Sequence, residues 1–243
     1  AAFSSFKSVQ WLVIESDSSD DTVAELQNIK SQNKNFDFLA LGNLAGIYAK
    51  RTERLAYCRN IYLREIRENP KYSDVNFVAI VDLDDVNNLL TEAAVNSCWD
   101  RNEWAVCAAN QLGPYYDIWA LRHPVWCPND CWEQCRFLEY FGLPHDSAKQ
   151  ASVYSRQIVI PPESSWIEVD SAFGGLAIYD RLFLESGGYC GLSPHGDEVC
   201  DHPSLHQEIR NKGGKIFINP KLINTSFTEH TQHLNKKSKF LYL

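Results

Sequence analysis

Apolar and polar positions alternate along the chain in short blocks, and each block carries its own start and stop signals. Trp11 to Glu15 is a brief apolar run that reads as a buried strand, and Asp17-Ser18-Ser19-Asp20-Asp21-Thr22 reads as a turn and helix N-cap. A helix from about Asp21 to Ile29 places Val23, Leu26 and Ile29 on one face. Phe36 to Leu41 alternates as a strand does, and Gly42 stops it. Arg51 to Glu68 is a long amphipathic helix carrying Leu55, Tyr57, Ile61, Leu63 and Ile66, and Asn69-Pro70 ends it because the residue before proline is driven out of the helical region. Phe77 to Val81 is the most hydrophobic strand, and it runs into Asp82-Leu83-Asp84-Asp85. Strand, helix, strand, helix, strand predicts a parallel α/β arrangement.

The second half is more broken. Thr91 to Trp99 reads as helix, and Trp104 to Ala109 and Ile118 to Leu121 as strands. Asp130 to Phe141 is a helix between Pro128 and Gly142-Leu143-Pro144. Pro144 to Arg156 has no clear period and is expected to be a mobile loop. Ala172 to Tyr179 reads as a strand around a double glycine, Pro203 to Lys212 as a helix ended by Gly213-Gly214, and Lys215 to Asn219 as a last strand. No internal repeat or linker divides the chain, which reads as a single domain over residues 1–243.

Length and composition narrow the class. The 243 residues suffice for one large domain, and 44% apolar with 22% charged residues is a globular balance rather than a disordered or collagenous one. The apolar runs fall short of the roughly 20 residues of a membrane span, and no secretory signal opens the sequence. A formal charge of −8 argues against a nucleic-acid partner held by counterion release. The sequence holds no Met, so the chain is expected to be a trimmed one.

Eight cysteines without a signal peptide read as reduced thiols in a cytosol-like compartment. Cys127, Cys131 and Cys135 recur every four residues, which on a helix stacks three thiols along one face. Such a face either packs in the core or binds a soft metal, although the spacing is that of neither a zinc ribbon nor an iron–sulfur site. Trp99, Trp104 and Trp166 are expected in the core.

Acidic groups gather where ligands bind in open α/β sheets, beyond the carboxyl ends of the strands. Glu15 with Asp17, Asp82 with Asp84 and Asp85, and Asp170 hold such positions. Carboxylates as close as Asp82 and Asp84 repel one another, and a hard divalent cation relieves the repulsion while bridging substrate phosphates. The alternative is a solvated acidic turn.

The ordered strings "WLVIESDSSDDT", "RTERLAYCRN" and "FVAIVDLDD", then "FGGLAIYD" and "DHPSLHQEIRNKGGKIFINP", together resemble the GT-A glycosyltransferases, particularly glycosyltransferase family 2. The resemblance covers most of the chain and rests on the order of the strings, since no single one is specific. It implies an α/β, Rossmann-like GT-A fold with a mostly parallel central sheet flanked by helices. Residues 1–112 would then form the nucleotide-sugar half and 113–243 the acceptor half. The first strand of that family has no counterpart here, because the chain is expected to start at the following helix, Ala1 to Lys7.

Carried over by position, the resemblance puts Glu15 and Asp17 against the nucleoside, and Arg54, Arg59 and Asn60 on the base or phosphates. Asp82 would lie on the ribose, and Asp84 on the metal that holds the diphosphate. The plainer reading of the arginines is a charged helix face, with Arg54 paired to Glu53 or Glu65. "GPYYDIWALRHP" is similar to a segment of capsule-type glycosyltransferases, and Tyr116, Asp117, Trp119 and Arg122 would meet the acceptor, with Gly174 and Gly175 beside them. The alternative for that segment is a buried strand with Tyr and Trp as core.

A general base is sought near "GDEVCDHP", where Asp197, Glu198 and Asp201 are candidates and Asp201 is chosen. Alignment puts His202 on the family's base position, so inversion or retention stays open. His230, rather than His233, is expected to complete the metal site, and imidazole favours Mn²⁺ over Mg²⁺. Lys236, Lys237 and Lys239 with Phe240 and Tyr242 form a weak patch for anionic lipid.

The expectation is therefore a cytoplasmic hexosyltransferase of polysaccharide biosynthesis, without a transmembrane segment and with at most weak peripheral membrane contact. It would move sugar from a nucleoside diphosphate donor, UDP before GDP, to a glycan or glycolipid acceptor. The alternatives are a sugar-phosphate nucleotidyltransferase and a non-catalytic carbohydrate-binding protein.

Overall fold

A computed structural model of the chain describes residues 2–84 and 86–237, with side chains described up to residue 235. In chain order the elements are β1 (Trp11–Glu15), α1 (Thr22–Gln32), β2 (Phe36–Ala40), α2 (Arg51–Glu68), β3 (Phe77–Val81), α3 (Glu92–Asn96), β4 (Val106–Gln111), α4 (Cys131–Tyr140), α5 (His145–Ser152), β5 (Ile167–Val169), β6 (Leu176–Asp180), α6 (His202–Asn211), β7 (Ile216–Thr225) and α7 (Gln232–Lys237). The architecture is α/β, with a mixed five-stranded sheet in the order β3-β6-β4-β7-β5 and a two-stranded parallel sheet of β1 and β2.

The mostly parallel sheet expected from strand–helix alternation gives way to a mixed one. β4 pairs in parallel with β7, whereas β3–β6, β4–β6 and β5–β7 are antiparallel. The alternation that implies parallel strands ends at β3: β6 enters from the long 112–175 excursion and threads between β3 and β4 against both of them.

Side-chain alternation on the sheet builds two cores. Val106 and Ala108 of β4, Ala177 and Tyr179 of β6, and Ile216 and Ile218 of β7 face one cluster with Leu63 of α2 and Leu205 and Ile209 of α6. Cys107 and Ala109, Leu176 and Ile178, and Phe217 face the other, with Val95 of α3, Cys98 and Trp104. With both faces covered, every residue of β4 is buried, which is why it reads as an apolar run from Val106 to Ala109. β7 runs well past Asn219 and carries Pro220 where the β4–β7 register shifts, an irregularity that tolerates a residue unable to donate.

β1 pairs only with β2, and β3 only with β6, among the described residues. Between β1 and β3 lies a cavity of about 420 Å³ lined by Phe3, Val9, Trp11, Val81, Asn87 and Leu90. Residues 2–7 form turns rather than the expected helix, with Phe3 packed edge-on to Trp11 and Phe6 against Trp99.

Three further local expectations change. Ile118 to Leu121 is a buried turn, not a strand: Ile118 donates its N–H to the Tyr116 carbonyl at 2.9 Å, and the run is apolar because it lies in the core. Pro144 to Arg156 is not a loop but α5 and a 3₁₀ turn, whose narrow buried stripe of Ala148 and Ser152 at i, i+4 leaves little periodic signal. Trp99 is 38% exposed at the sheet edge and stacks edge-on to Phe77 and Trp104, while Trp104 itself is buried and Trp166 half-buried.

Candidate functional site

β3 delivers Asp82 to the end of the sheet, where its N–H donates to the Gly175 carbonyl at 3.0 Å. α2 runs alongside with a core-facing stripe of Thr52, Ala56, Arg59, Leu63 and Ile66, so helix phase alone turns a guanidinium inward. Arg59 Nη1 donates to both oxygens of Asp201 at 2.7 and 2.6 Å, and Nη2 to Asp82 at 3.1 Å. The rings of Phe173 and Tyr189 flank the guanidinium at 5.4 and 5.7 Å. Asp201 sits at the N-cap of α6 but makes no capping bond with its side chain, which is committed to Arg59.

Asp117 and Tyr116 close the other side. Asp117 is half-buried and accepts the Gly174 N–H at 2.9 Å and the Ala120 N–H at 3.3 Å. Burial pushes its carboxyl up despite those bonds. Gly174 and Gly175 take φ of +72° and +80°, and a Cβ on Gly175 would stand 2.5 Å from Tyr116 Oη and 2.7 Å from Val86 Cγ2. His230 stacks on Tyr116 with ring centroids 5.8 Å apart and planes 18° from parallel, so the segment after β7 lies over this side of the cluster.

The charges do not balance. Burial raises the Asp82 carboxyl to about 6, Arg59 opposes the shift, and nearby Asp84 and Asp117 add to it. Asp82 and Asp201 both bond the Arg59 guanidinium and Asp117 lies within its field, while Asp84 adds a further acid beside Asp82. Burial also pushes His202 well below the usual imidazole range, and neither ring nitrogen meets a hydrogen-bond partner among the described residues. Its ring lies on Phe173 at 4.0 Å. His206, one turn on, is bonded on both sides, by Ser171 Oγ at 2.7 Å and Tyr179 Oη at 2.9 Å.

Of the remaining candidates, Glu15, Asp17 and Arg54 form a second group at the ends of β1 and β2. Glu15 accepts the Ser18 N–H at 3.0 Å, Asp17 accepts the Ala45 N–H at 2.8 Å from a φ of +67°, and Arg54 Nε lies 3.9 Å from Asp17 rather than against Glu53 or Glu65. Arg54 also donates to the Tyr48 carbonyl at 2.8 Å. Five residues along the same helix, Arg59 belongs to the first group, and Cys58 between them feels both Asp17 and Arg59. Asn60 turns away and exchanges two bonds with the Tyr189 backbone, each 2.9 Å. Glu198 accepts the Thr52 N–H at 3.1 Å and so holds the start of α2, and Asp197 is exposed.

The "YYDIWALR" residues divide. Trp119 Nε1 and Arg122 Nη2 both donate to Asp130 Oδ2 at 2.9 Å, and Asp130 Oδ1 caps α4 through the Trp132 and Glu133 N–H groups. Their polar atoms therefore serve the start of α4 rather than the Asp82 cluster. The expected stack of three thiols does not form, because α4 begins at Cys131. Cys127 lies before it and accepts from Arg156 Nη1 at 3.0 Å.

Sequence reasoning missed the amides that fix the double glycine. Asn87 Nδ2 donates to the Asp82 and Gly175 carbonyls at 2.8 and 3.0 Å, Asn224 Nδ2 to Gly174 at 2.8 Å, and Gln111 Nε2 to Asn224 at 3.1 Å. A signal was present: Asn110-Gln111 close β4 and Asn224-Thr225 close β7, and a fully buried amide there must bond to something.

Among the described residues no helix is long and apolar enough to cross a membrane. The lysine and aromatic side chains of the tail, from Lys236 to Tyr242, lie outside the described side chains. No family model matches the chain, and no curated protein matches it in sequence.

Proposed function

We propose that the protein is a metal-dependent glycosyltransferase of the GT-A type, transferring a sugar from a nucleoside diphosphate donor, UDP before GDP, to a glycan or glycolipid acceptor. The observation that carries this reading is the uncompensated negative charge at the end of β3. Asp82 and Asp201 on Arg59, Asp117 within its field and Asp84 beside Asp82, with Asp82 raised to about 6, are unfavourable on their own and match what a hard divalent cation with a diphosphate requires. Oxygen donors of Asp84, with the His230 imidazole, would hold Mn²⁺ or Mg²⁺, and the ion would supply charge stabilisation for the departing nucleoside diphosphate.

The chain's own groups have separable tasks in this reading. Arg59 fixes Asp82, and Asp201 fixes Arg59. A general base needs an open carboxylate, whereas the Asp201 side chain is 5% exposed with both oxygens on Arg59, so Asp201 acts as a positioning residue and not as the base. Gly174 and Gly175, held by the amide network, let the acceptor side approach Tyr116 and Asp82 without a Cβ between. Glu15, Asp17 and Arg54 would receive the nucleoside at the neighbouring strand ends.

Calorimetric titration with UDP and GDP, each with and without Mn²⁺, tests the reading. The expected result is binding of one nucleotide only when metal is present, lost in Asp84→Ala. Binding that ignores metal or survives Asp84→Ala refutes the site, and oligosaccharide binding without nucleotide binding would favour a carbohydrate-binding protein.

A further inference from the structure

Downstream of the Tyr116–Asp117 segment, α4 and α5 bring together a second group with different ligand chemistry. Cys135 and Glu139 stand one turn apart on α4 and share a face. Gly142, at φ +91°, ends the helix: its N–H donates to the Glu139 carbonyl at 2.8 Å, and the Leu143 N–H to the Leu138 carbonyl at 3.0 Å. The chain reverses within this turn, and Pro144 opens α5 so that its first residue, His145, returns over the last turn of α4. His145 Nδ1 meets Glu139 Oε1 directly. The Cys135 sulfur, a Glu139 oxygen and a His145 ring nitrogen all lie within 4.8 Å of one another.

We propose that Cys135, Glu139 and His145 form a binding site for a single borderline-soft divalent cation of the zinc class. A tetrahedral zinc ion with bonds of about 2.0–2.3 Å needs its ligand atoms roughly 3.3–3.8 Å apart, within reach of small rotamer adjustments here. One thiolate, one imidazole and one carboxylate select zinc-class ions over Mg²⁺ or Ca²⁺, which prefer oxygen alone. Exposure rises from Cys135, at 2%, to the side chains of Glu139 at 34% and His145 at 65%, so the fourth position faces solvent and takes water. Binding displaces the Cys135 thiol proton to solvent, and affinity therefore falls with acid. The ion would clamp α4 to α5 across the Phe141–Pro144 turn. This site stands independently of the proposed transferase activity.

Co²⁺ titration of the reduced protein tests it. One equivalent should produce a thiolate-to-cobalt charge-transfer band with tetrahedral visible bands, both displaced by Zn²⁺. Cys135→Ser should abolish the charge-transfer band, His145→Ala and Glu139→Gln should each weaken binding at least tenfold, and Cys190→Ser, at an exposed cysteine, should change nothing. No charge-transfer band at saturating Co²⁺, or one that persists in Cys135→Ser, overturns the proposal. If Cys135→Ser does not fold, unchanged affinity in both His145→Ala and Glu139→Gln overturns it equally.

Discussion

Replacing Arg59 by Met isolates the central interaction of the molecule. The substitution keeps most of the side-chain volume and removes the one cation facing Asp201 and Asp82. Asp201 is the costly partner: its side chain is 5% exposed, and stranding a buried carboxylate by removing its partner costs about 3–5 kcal/mol. The Asp82 pair is 35% exposed on the carboxylate side and adds only about 0.5–1 kcal/mol. Loss of the guanidinium from between Phe173 and Tyr189 adds about 0.5–1 kcal/mol more. The expected total at neutral pH is about 4–7 kcal/mol, a large share of the 5–15 kcal/mol typical of a domain.

Urea unfolding at constant m-value measures this loss, and pH identifies its origin. Without Arg59 the native state holds protons on the stranded carboxyls more tightly than the unfolded chain does. The variant therefore gains stability relative to wild type as the pH falls from 7 toward 5. Arg59→Met/Asp201→Leu, which removes both charges, should recover at least half of the single-variant loss. A loss below about 1 kcal/mol, or one that is the same at pH 7 and pH 5, would refute the reasoning, because it would mean that Asp201 is not a buried charge.

Gly175→Ala should cost about 2–4 kcal/mol, since its Cβ would press on Tyr116 Oη and Val86 at a φ of +80°, and a Tyr116→Phe background should return part of that loss in thermal unfolding. For Asp82 the native carboxyl, at about 6, lies above its unfolded value, so the ionised form opposes folding at neutral pH and the penalty fades as pH falls through 6. After discounting for a side chain that is 35% exposed, Asp82→Asn should stabilise by about 1 kcal/mol at pH 7 and by nothing near pH 4; a variant less stable than wild type at pH 7 would contradict this. Burial holds His202 and His206 neutral, the latter down to about 3, so each contributes stability present above the unfolded imidazole value and lost as pH falls below it. His202→Leu, which removes two unpartnered ring nitrogens, should leave neutral-pH stability unchanged or higher and flatten the acid limb by about 1.4 kcal/mol per pH unit, and an unaltered acid limb would show that His202 does not titrate on unfolding.

Much of the local structure was legible because single elements carry their own codes. β1, α2 and β3 occupy the spans that apolar periodicity and proline predict, and the Asp82 region falls at the strand end where acidic residues interrupt an apolar run. Elements stabilised from outside were harder to read. α5 buries only a narrow stripe, and Ile118–Leu121 is apolar for the core it fills rather than the strand it could have been. The site divides in the same way. Asp82, Asp84, Tyr116, Asp117 and the double glycine were marked by composition and resemblance, and the structure gathers them. Trp119 and Arg122 carried the same signal, yet Asp130 draws them into capping α4.

By itself the sequence determined the alternation of strands and helices and the acidic strand ends, because each depends on residues within a few turns of one another. Only the tertiary structure decided that the sheet is mixed, that β6 threads between β3 and β4, that Asp201 closes on Arg59 from 142 residues away, and that Cys135, Glu139 and His145 meet around one turn. Strand order and side-chain pairing are set by which distant surfaces bury one another, and a polar group commits to the partner that burial leaves nearest. Neither choice is written in local spacing.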